Sequence, residues 1–312
     1  MTVVEGNSAE ITAMAEFRVE ALHDTARIRR ILEGRRAYAA YALGQLEPPL
    51  FRLTDWRLGT GAANQALVLH SRGGLGNATF AMGESRALDA ILTVHPGSRH
   101  TFLTCEVHHL DTVLLHFDLD QRQTMIRMQV TADTLRAAPG PVRRLRGADA
   151  REINRLYRTD GVPSFYSPRQ IEEGVYFGTE QEGQLIAVAG THVISHDSAI
   201  AVVGNVYTHP THRGQHLAQA TTSAVTSQLL KFCREVVLSV DPTNAAAVRA
   251  YERLGYVEVA RLIEGAATRR DVLGAATIAR RLLARLRGRG AGGEVVRVPR
   301  EPGAKEQAVR GK

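Results

Sequence analysis

Val206-Tyr207-Thr208-His209-Pro210-Thr211-His212-Arg213-Gly214-Gln215-His216-Leu217-Ala218 reads as the end of a strand, a polar loop and the start of a helix. The β-branched and aromatic residues before His209 suit a strand. Pro210 and Gly214 interrupt it, and an alanine- and threonine-rich helical pattern begins at Leu217. A strand ending in an Arg-Gly loop that opens a helix turns backbone N–H groups and a positive dipole end toward one point, which suits a phosphate. A second stretch, Asp241-Pro242-Thr243-Asn244, is followed by Ala247, Tyr251 and Gly255-Tyr256. It places a phenol seven residues after an amide, on a helix that begins just past Pro242.

Together the two stretches resemble the GNAT acetyltransferase superfamily. The family pattern is Arg-Gly-x-Gly-x-Ala or Gly, and this chain supplies Arg213, Gly214, Gln215, His216, Leu217 and Ala218. It departs from the pattern at His216, where the second glycine is expected. The resemblance implies that this loop holds the pyrophosphate of coenzyme A, largely through backbone amides. It further implies that Val206, Tyr207 and Thr208 offer strand-end groups to the acetyl carbonyl and the pantetheine, and that Asn244 binds the coenzyme arm or a backbone near it. Tyr251 becomes the general acid, since a phenol of pKa about 10 is close to a thiol and can protonate the departing thiolate. Taken alone, Tyr251 fits a core aromatic beside Val248 and Leu254; its spacing to Asn244 and Gly255-Tyr256 favours the site. Acetyl-CoA is then the cosubstrate, and no metal is expected. The general base stays unassigned: residues 199–207 hold no carboxylate, His192, His196 and Asp197 lie nearby, and a water is equally open.

The helix and strand order after the linker candidate Pro139-Gly140-Pro141 resembles one complete GNAT domain. Strands are predicted at 142–145, 175–180, 184–193, 199–207, 236–240 and 256–262, with a hairpin at Glu182-Gly183. Helices are predicted at 150–157 with Asp149 as N-cap, and at 169–173, 217–232 and 244–254. A loop over 161–168 leans toward the site. The first half shows a worn version of the same order: a helical pattern over 25–45, strands at 65–70 and 77–82, a helix at 85–92, a strand at 101–107, a short helix at 109–117 and a strand at 124–130. Its one glycine-rich loop, Gly73-Gly74-Leu75-Gly76, joins two strands and reads as a hairpin turn rather than a phosphate cradle. The expected class is therefore an α/β mixed sheet, with a degenerate GNAT-like domain over residues 1–140, a catalytic GNAT domain over 141–265, and a basic tail over 266–312.

Composition sets the outer limits. With 44% hydrophobic and 23% charged residues, the 312-residue chain has an ordinary globular balance. No apolar run is long enough to span a bilayer, no signal peptide is visible at the start, and the two separated cysteines, Cys105 and Cys233, suit a reducing cytoplasm. The net charge of +7 is local: residues 266–312 hold 12 of the 39 Lys and Arg but 4 of the 32 Asp and Glu, so the tail carries +8 and the body −1. A nucleic-acid binder usually carries its basic face on the folded body, so no specific nucleic acid is expected. Residues 271–287 read as a basic amphipathic helix, packed on its own protein or offered to an anionic surface or partner subunit, and a homodimer is compatible with it. Residues 288–312 read as disordered.

Two histidine groups, His209/His212/His216 and Cys105/His108/His109/His116, lack a recognised zinc spacing, and the adjacent His108 and His109 should point apart. The favoured function is N-acetylation of a small-molecule or peptide amine. Its rivals are a non-catalytic acyl-CoA-binding protein and an adaptor working through the basic tail.

Overall fold

The structure is a computed structural model; it describes residues 14–74, 76–161, 165–271, 273–288 and 293–299. The first half runs β1 (Met14–Ala21), α1 (Thr25–Glu33), α2 (Ala40–Gly44), α3 (Pro48–Phe51), β2 (Thr54–Thr60), β3 (Gln65–Arg72), β4 (Asn77–Gly83), α4 (Ser85–Val94), β5 (His100–Glu106), α5 (Leu110–His116) and β6 (Phe117–Thr131). The second runs β7 (Arg143–Arg144), α6 (Ala150–Tyr157), α7 (Pro168–Glu173), β8 (Phe177–Gln181), β9 (Gln184–Ser195), β10 (Ile200–Thr208), α8 (Leu217–Leu229), β11 (Glu235–Val240), α9 (Ala245–Arg253) and β12 (Val257–Arg269). The tail adds α10 (Ala275–Arg287) and β13 (Glu294–Pro299).

Among the described residues all thirteen strands form one mixed sheet, in the order β13-β1-β2-β3-β4-β5-β12-β6-β11-β10-β9-β8-β7. The pairs β4–β5 and β10–β11 are parallel, one in each half. The last strands are exchanged. β12, from the second half, lies beside β5, and β6, from the first, lies beside β11. Period-2 alternation then sends side chains to two faces. Ala201, Val203, Val236 and Leu238 pack with Val225 and Leu229 of α8. Val202 and Val237 pack instead with Ile28, Leu32 and Leu43 of α1 and α2, so helices of the first half cover one face of the second.

Several expectations need correction. The helical pattern over 25–45 is broken after Gly34, because Arg35 reaches Glu106 at 2.6 Å and Arg36 reaches Glu235 at 2.5 Å, which turns the chain between the halves. β1 and β2 carry charged or polar residues on one side and bury Phe17, Val19, Trp56 and Leu58 on the other; the sequence reading missed both. β6 starts at Phe117 and β12 extends to Arg269, because each supplies the other's ladder over this polar stretch. Asp149 caps α6 by position, yet its carboxylate accepts from the Arg146 N–H at 2.6 Å and pairs with Arg143 at 2.9 Å. The tail is ordered further than expected. β13 pairs with β1, buries Val296 and Val298, and brings Glu294 to His95, Arg285 and Arg281. The rest of the stretch read as disordered, residues 289–292 and 300–312, lies outside the described residues. Among the described residues no helix is long and apolar enough to cross a membrane.

Gly255 links the two halves sterically. Its φ is +91°, and a Cβ there would lie 1.9 Å from the carbonyl oxygen of Thr134, in the segment after β6. Gly255→Ala is expected to cost more than about 2 kcal/mol in denaturant unfolding. A cost below about 0.5 kcal/mol would show that the Thr134 backbone moves aside freely.

Candidate functional site

β10 and β11 pair only from Ile200↔Glu235 to Val203↔Leu238. Beyond Val203, β10 follows β9 alone, with a register shift between Gly204 and Tyr207. Asn205 sits in this bulge with a φ of 52°, which is uncommon for a residue with a side chain. Four aromatic side chains hold it. Asn205 Oδ1 accepts from Tyr166 Oη at 2.9 Å and from His192 Nε2 at 2.8 Å, while Nδ2 donates to Tyr176 Oη at 3.1 Å. Its carbonyl accepts from Tyr157 Oη at 2.7 Å. The β11-facing edge of residues 204–208 is therefore left without a strand partner among the described residues, and the sheet opens.

A cavity of about 620 Å³ runs along this opening on the α8–α9 side. Of the residues expected from sequence, Val206, Tyr207, Thr208, Arg213, Gly214, His216, Leu217, Ala218, Asn244 and Tyr251 line it, and Gln215 does not. The sequence reading missed Arg249 and Arg253, whose four-residue spacing on α9 puts two cations on the same wall. The 161–168 loop contributes Tyr166, stacked on Tyr157 at 4.9 Å between centroids; residues 162–164 lie outside the described residues.

The loop between β10 and α8 has the build of an anion cradle. Gly214 has φ +82°, and a Cβ placed there would meet nothing within 4 Å, so its backbone faces open space. His216 is the N-cap of α8 at φ 59°, ψ 14°, and its side chain takes none of the first-turn N–H groups. Those donors face outward with the helix dipole behind them. The matching junction of the first half is closed: β4 passes to α4 through Glu84 alone, whose carboxylate accepts from Arg86 N at 3.1 Å and Ala87 N at 3.0 Å. A carboxylate occupies there the place an external anion would need.

The polar side chains are partly committed. Arg213 donates to Asp160 at 2.6 Å and to the Thr208 carbonyl at 3.3 Å. Asn244 Oδ1 caps α9 by accepting from Ala247 N at 3.1 Å. Tyr251 is 8% exposed, meets Tyr256 edge-on at 6.1 Å, and burial pushes its phenol up to about 12. It is protonated at neutral pH, and the raised value makes it a weaker acid than a free phenol. Of the three base candidates only His192 reaches the opening. Its burial lowers the ring pKa against the opposing hydrogen bond from Asn205, so the ring is neutral at pH 7. With Nε2 donating to Asn205, Nδ1 accepts from Tyr41 Oη at 2.6 Å. His196 stacks on Phe232 at 5.5 Å and Asp197 pairs with Arg29 at 3.2 Å, both at the far end of the β9–β10 hairpin.

The histidine clusters also differ from expectation. His108 and His109 do not point apart: their ring centroids are 4.0 Å apart, because a 3-10 turn lets both reach the Gly83 carbonyl. Glu106, His108 and His109 offer ligand atoms within 4.8 Å of one another. His109 uses both nitrogens, on the Glu106 N–H at 3.3 Å and the Gly83 carbonyl at 2.7 Å, and Glu106 is paired with Arg35. These bonds account for the cluster without an ion.

The sequence profile of the acetyltransferase (GNAT) family matches residues 147–256. No curated protein matches the chain. Among solved structures, the chain is similar to a GCN5-related N-acetyltransferase from Kribbella flavida, with 19% identity, TM-score 0.53 and coverage of 74% of this chain and 95% of that one. It is similar to a GNAT-family structure from Novosphingobium aromaticivorans at 18% identity and TM-score 0.51, covering 72% and 95%. A Drosophila protein aligns at 13% identity and TM-score 0.57, covering 79% and 98%. At such identities the structures speak for the fold, and they extend it through the first half. With the profile match over the very segment that builds the cavity, residues 147–256 form a domain of the acetyltransferase (GNAT) family, whose chemistry is acyl transfer from acyl-CoA.

Proposed function

We propose that the protein transfers an acetyl group from acetyl-CoA to an amine, in the cytoplasm, where the free and buried Cys105 and Cys233 would stay reduced. One observation carries the proposal: a single cavity connects the uncapped N-terminus of α8 to the opening between β10 and β11. In this reading the pyrophosphate sits on the amides of residues 213–218, with Arg249 and Arg253 adding charge, and the pantetheine arm follows the free edge of β10. Amide donors aimed at the carbonyl oxygen stabilise the charge that develops there. The amine nitrogen attacks the thioester carbon, a C–N bond forms and the C–S bond breaks. The departing sulfur takes the Tyr251 proton, and the proton lost from nitrogen passes to His192 by way of Tyr41. Solvent exchange restores both groups, leaving an amide and a free thiol. Residues 141–265 act as the catalytic unit, residues 1–140 as a degenerate partner that completes its walls, and residues 266–312 as an appendage.

Acetyl-CoA should raise the melting temperature, since a ligand at 100 times its Kd adds about 2.7 kcal/mol. Pantetheine, which lacks the phosphates, should do far less. Equal shifts from both would remove the phosphate role of residues 213–218.

Tyr251→Phe separates turnover from a binder without catalysis. Turnover should fall on the order of 10²-fold with acetyl-CoA affinity retained. An unchanged rate would return Tyr251 to the core and refute its role as acid.

His216 should prove a backbone-strain position. His216→Gly is expected to leave acetyl-CoA affinity unchanged and to alter stability by less than about 1 kcal/mol, whereas His216→Val should cost about 1–2 kcal/mol. A tenfold gain in acetyl-CoA affinity for the glycine variant, measured by calorimetry, would instead show the imidazole obstructing the cradle.

A further inference from the structure

A second cavity, of about 270 Å³, lies under residues 38–45, on the α1–α2 side of the sheet. Both halves build it. Tyr38, Phe80 and Phe102 give it an aromatic wall, while the exchanged strands supply its charges, Arg127 from β6 and Glu264 from β12. Arg127 is 0% exposed. Its Nη1 donates to Ser239 Oγ at 2.6 Å and its guanidinium lies 5.0 Å from the centre of the Tyr41 ring. Its Nε has no hydrogen-bond partner among the described residues. A buried guanidinium with an unmet donor is costly, and a planar fork with one arm free is suited to a carboxylate.

The cavity meets the opening in the sheet from both sides. Ser239, held by Arg127, is the first residue of β11 beyond its last pairing with β10. His192, which lines the cavity, is bonded to Asn205 in the bulge of β10. The acetyl-CoA cavity approaches the same opening along the opposite face.

We propose that this second cavity holds the acyl acceptor, and that the acceptor is an amino acid with an apolar side chain: its carboxylate on Arg127, its ammonium drawn to Glu264, its side chain against the aromatic wall. The assignment rests on reading the first cavity as the acetyl-CoA site. Charge and size narrow the class. A plain amine leaves the Nε donor of Arg127 without an acceptor, and an anion without an ammonium group sits beside Glu264. A volume just below the usual 300–1,000 Å³ of ligand pockets suits one small molecule the size of an amino acid.

Full-length protein saturated with coenzyme A can be titrated by calorimetry with phenylalanine and leucine, and with phenethylamine and isopentylamine, which lack only the carboxylate. The amino acid of each pair should bind at least about tenfold more tightly. Arg127→Met should bring the members of a pair within about twofold. Because Arg127 is buried, a second variant guards against loss of the fold: Ala78→Phe fills the cavity from β4 and should abolish binding of both members while acetyl-CoA still raises the melting temperature. Equal binding within the pairs, no binding of either amino acid, or amino-acid binding retained in Ala78→Phe overturns the acceptor assignment and leaves the acetyl-CoA reading standing. Absence of an acetyl-CoA shift in the wild-type protein overturns the underlying reading, and the assignment with it.

Discussion

β6 and β12 run antiparallel from Phe117↔Arg269 to Gln129↔Val257, and each lies next to the other half's sheet. Neither half can keep a complete sheet without the strand it borrows, so separating them would break the β5–β12 and β6–β11 ladders together. This makes the interface a continuation of the core rather than a surface contact. Leu262 joins the cluster built on α1 and α2, while Ile126, Met128 and Val130 join the one under α8. The exchange also sets the chemistry at the junction, because a strand that crosses between halves carries its side chains into the other's neighbourhood. Arg127 meets Ser239 of β11 in this way.

The two strand-to-helix junctions meet the needs of their helix donors in different ways. Each half places a helix after the first strand of its parallel pair, and each helix begins with N–H groups that need acceptors. In the first half Glu84 meets that need inside the chain, and His109, fully buried, closes the neighbouring strand end through Gly83. In the second half a loop separates Thr208 from Leu217, and its last residue supplies no cap. The two junctions thus differ by a carboxylate that meets the helix donors in one and an uncapped donor set in the other.

Part of the tail's positive charge is engaged, within the tail itself and on the body it follows. Arg285 meets Glu294 at 2.9 Å, Arg297 meets Glu16 at 3.1 Å, and Arg270 meets Asp118 at 3.0 Å. Glu294 sits at the start of β13, where burial favours its neutral form but His95 and the two arginines outweigh that and lower its pKa. The arginines flank an acid that would otherwise be costly to bury, and β13 covers the free edge of β1. Edge strands left bare invite pairing with other chains. The strand that follows the basic helix thus closes this edge of its own protein's sheet.

What the sequence disclosed was local, and what it concealed was long-range. The strand, loop and helix around Arg213 and Gly214 were legible because proline, glycine and helical periodicity act over a few residues. So was the Tyr251 position, fixed by spacing along one helix; the cap that Asn244 makes on the Ala247 N–H was not read, since the resemblance gave that side chain to the coenzyme arm. β1 and β2 were hidden because the charged residues on their outer faces dilute the apolar alternation. The exchange of β6 and β12 left no local trace at all, since a strand reads the same whichever neighbour it pairs with. For that reason Arg127 and Glu264 could not be recognised as partners in one cavity. Arg127 sits in an apolar run, Ile126-Arg127-Met128, where an isolated charge is the one sequence sign of a polar group forced inside. A lone arginine between two buried strand residues needs an acceptor somewhere, and only the topology says which strands, and which cavity, bring it within reach.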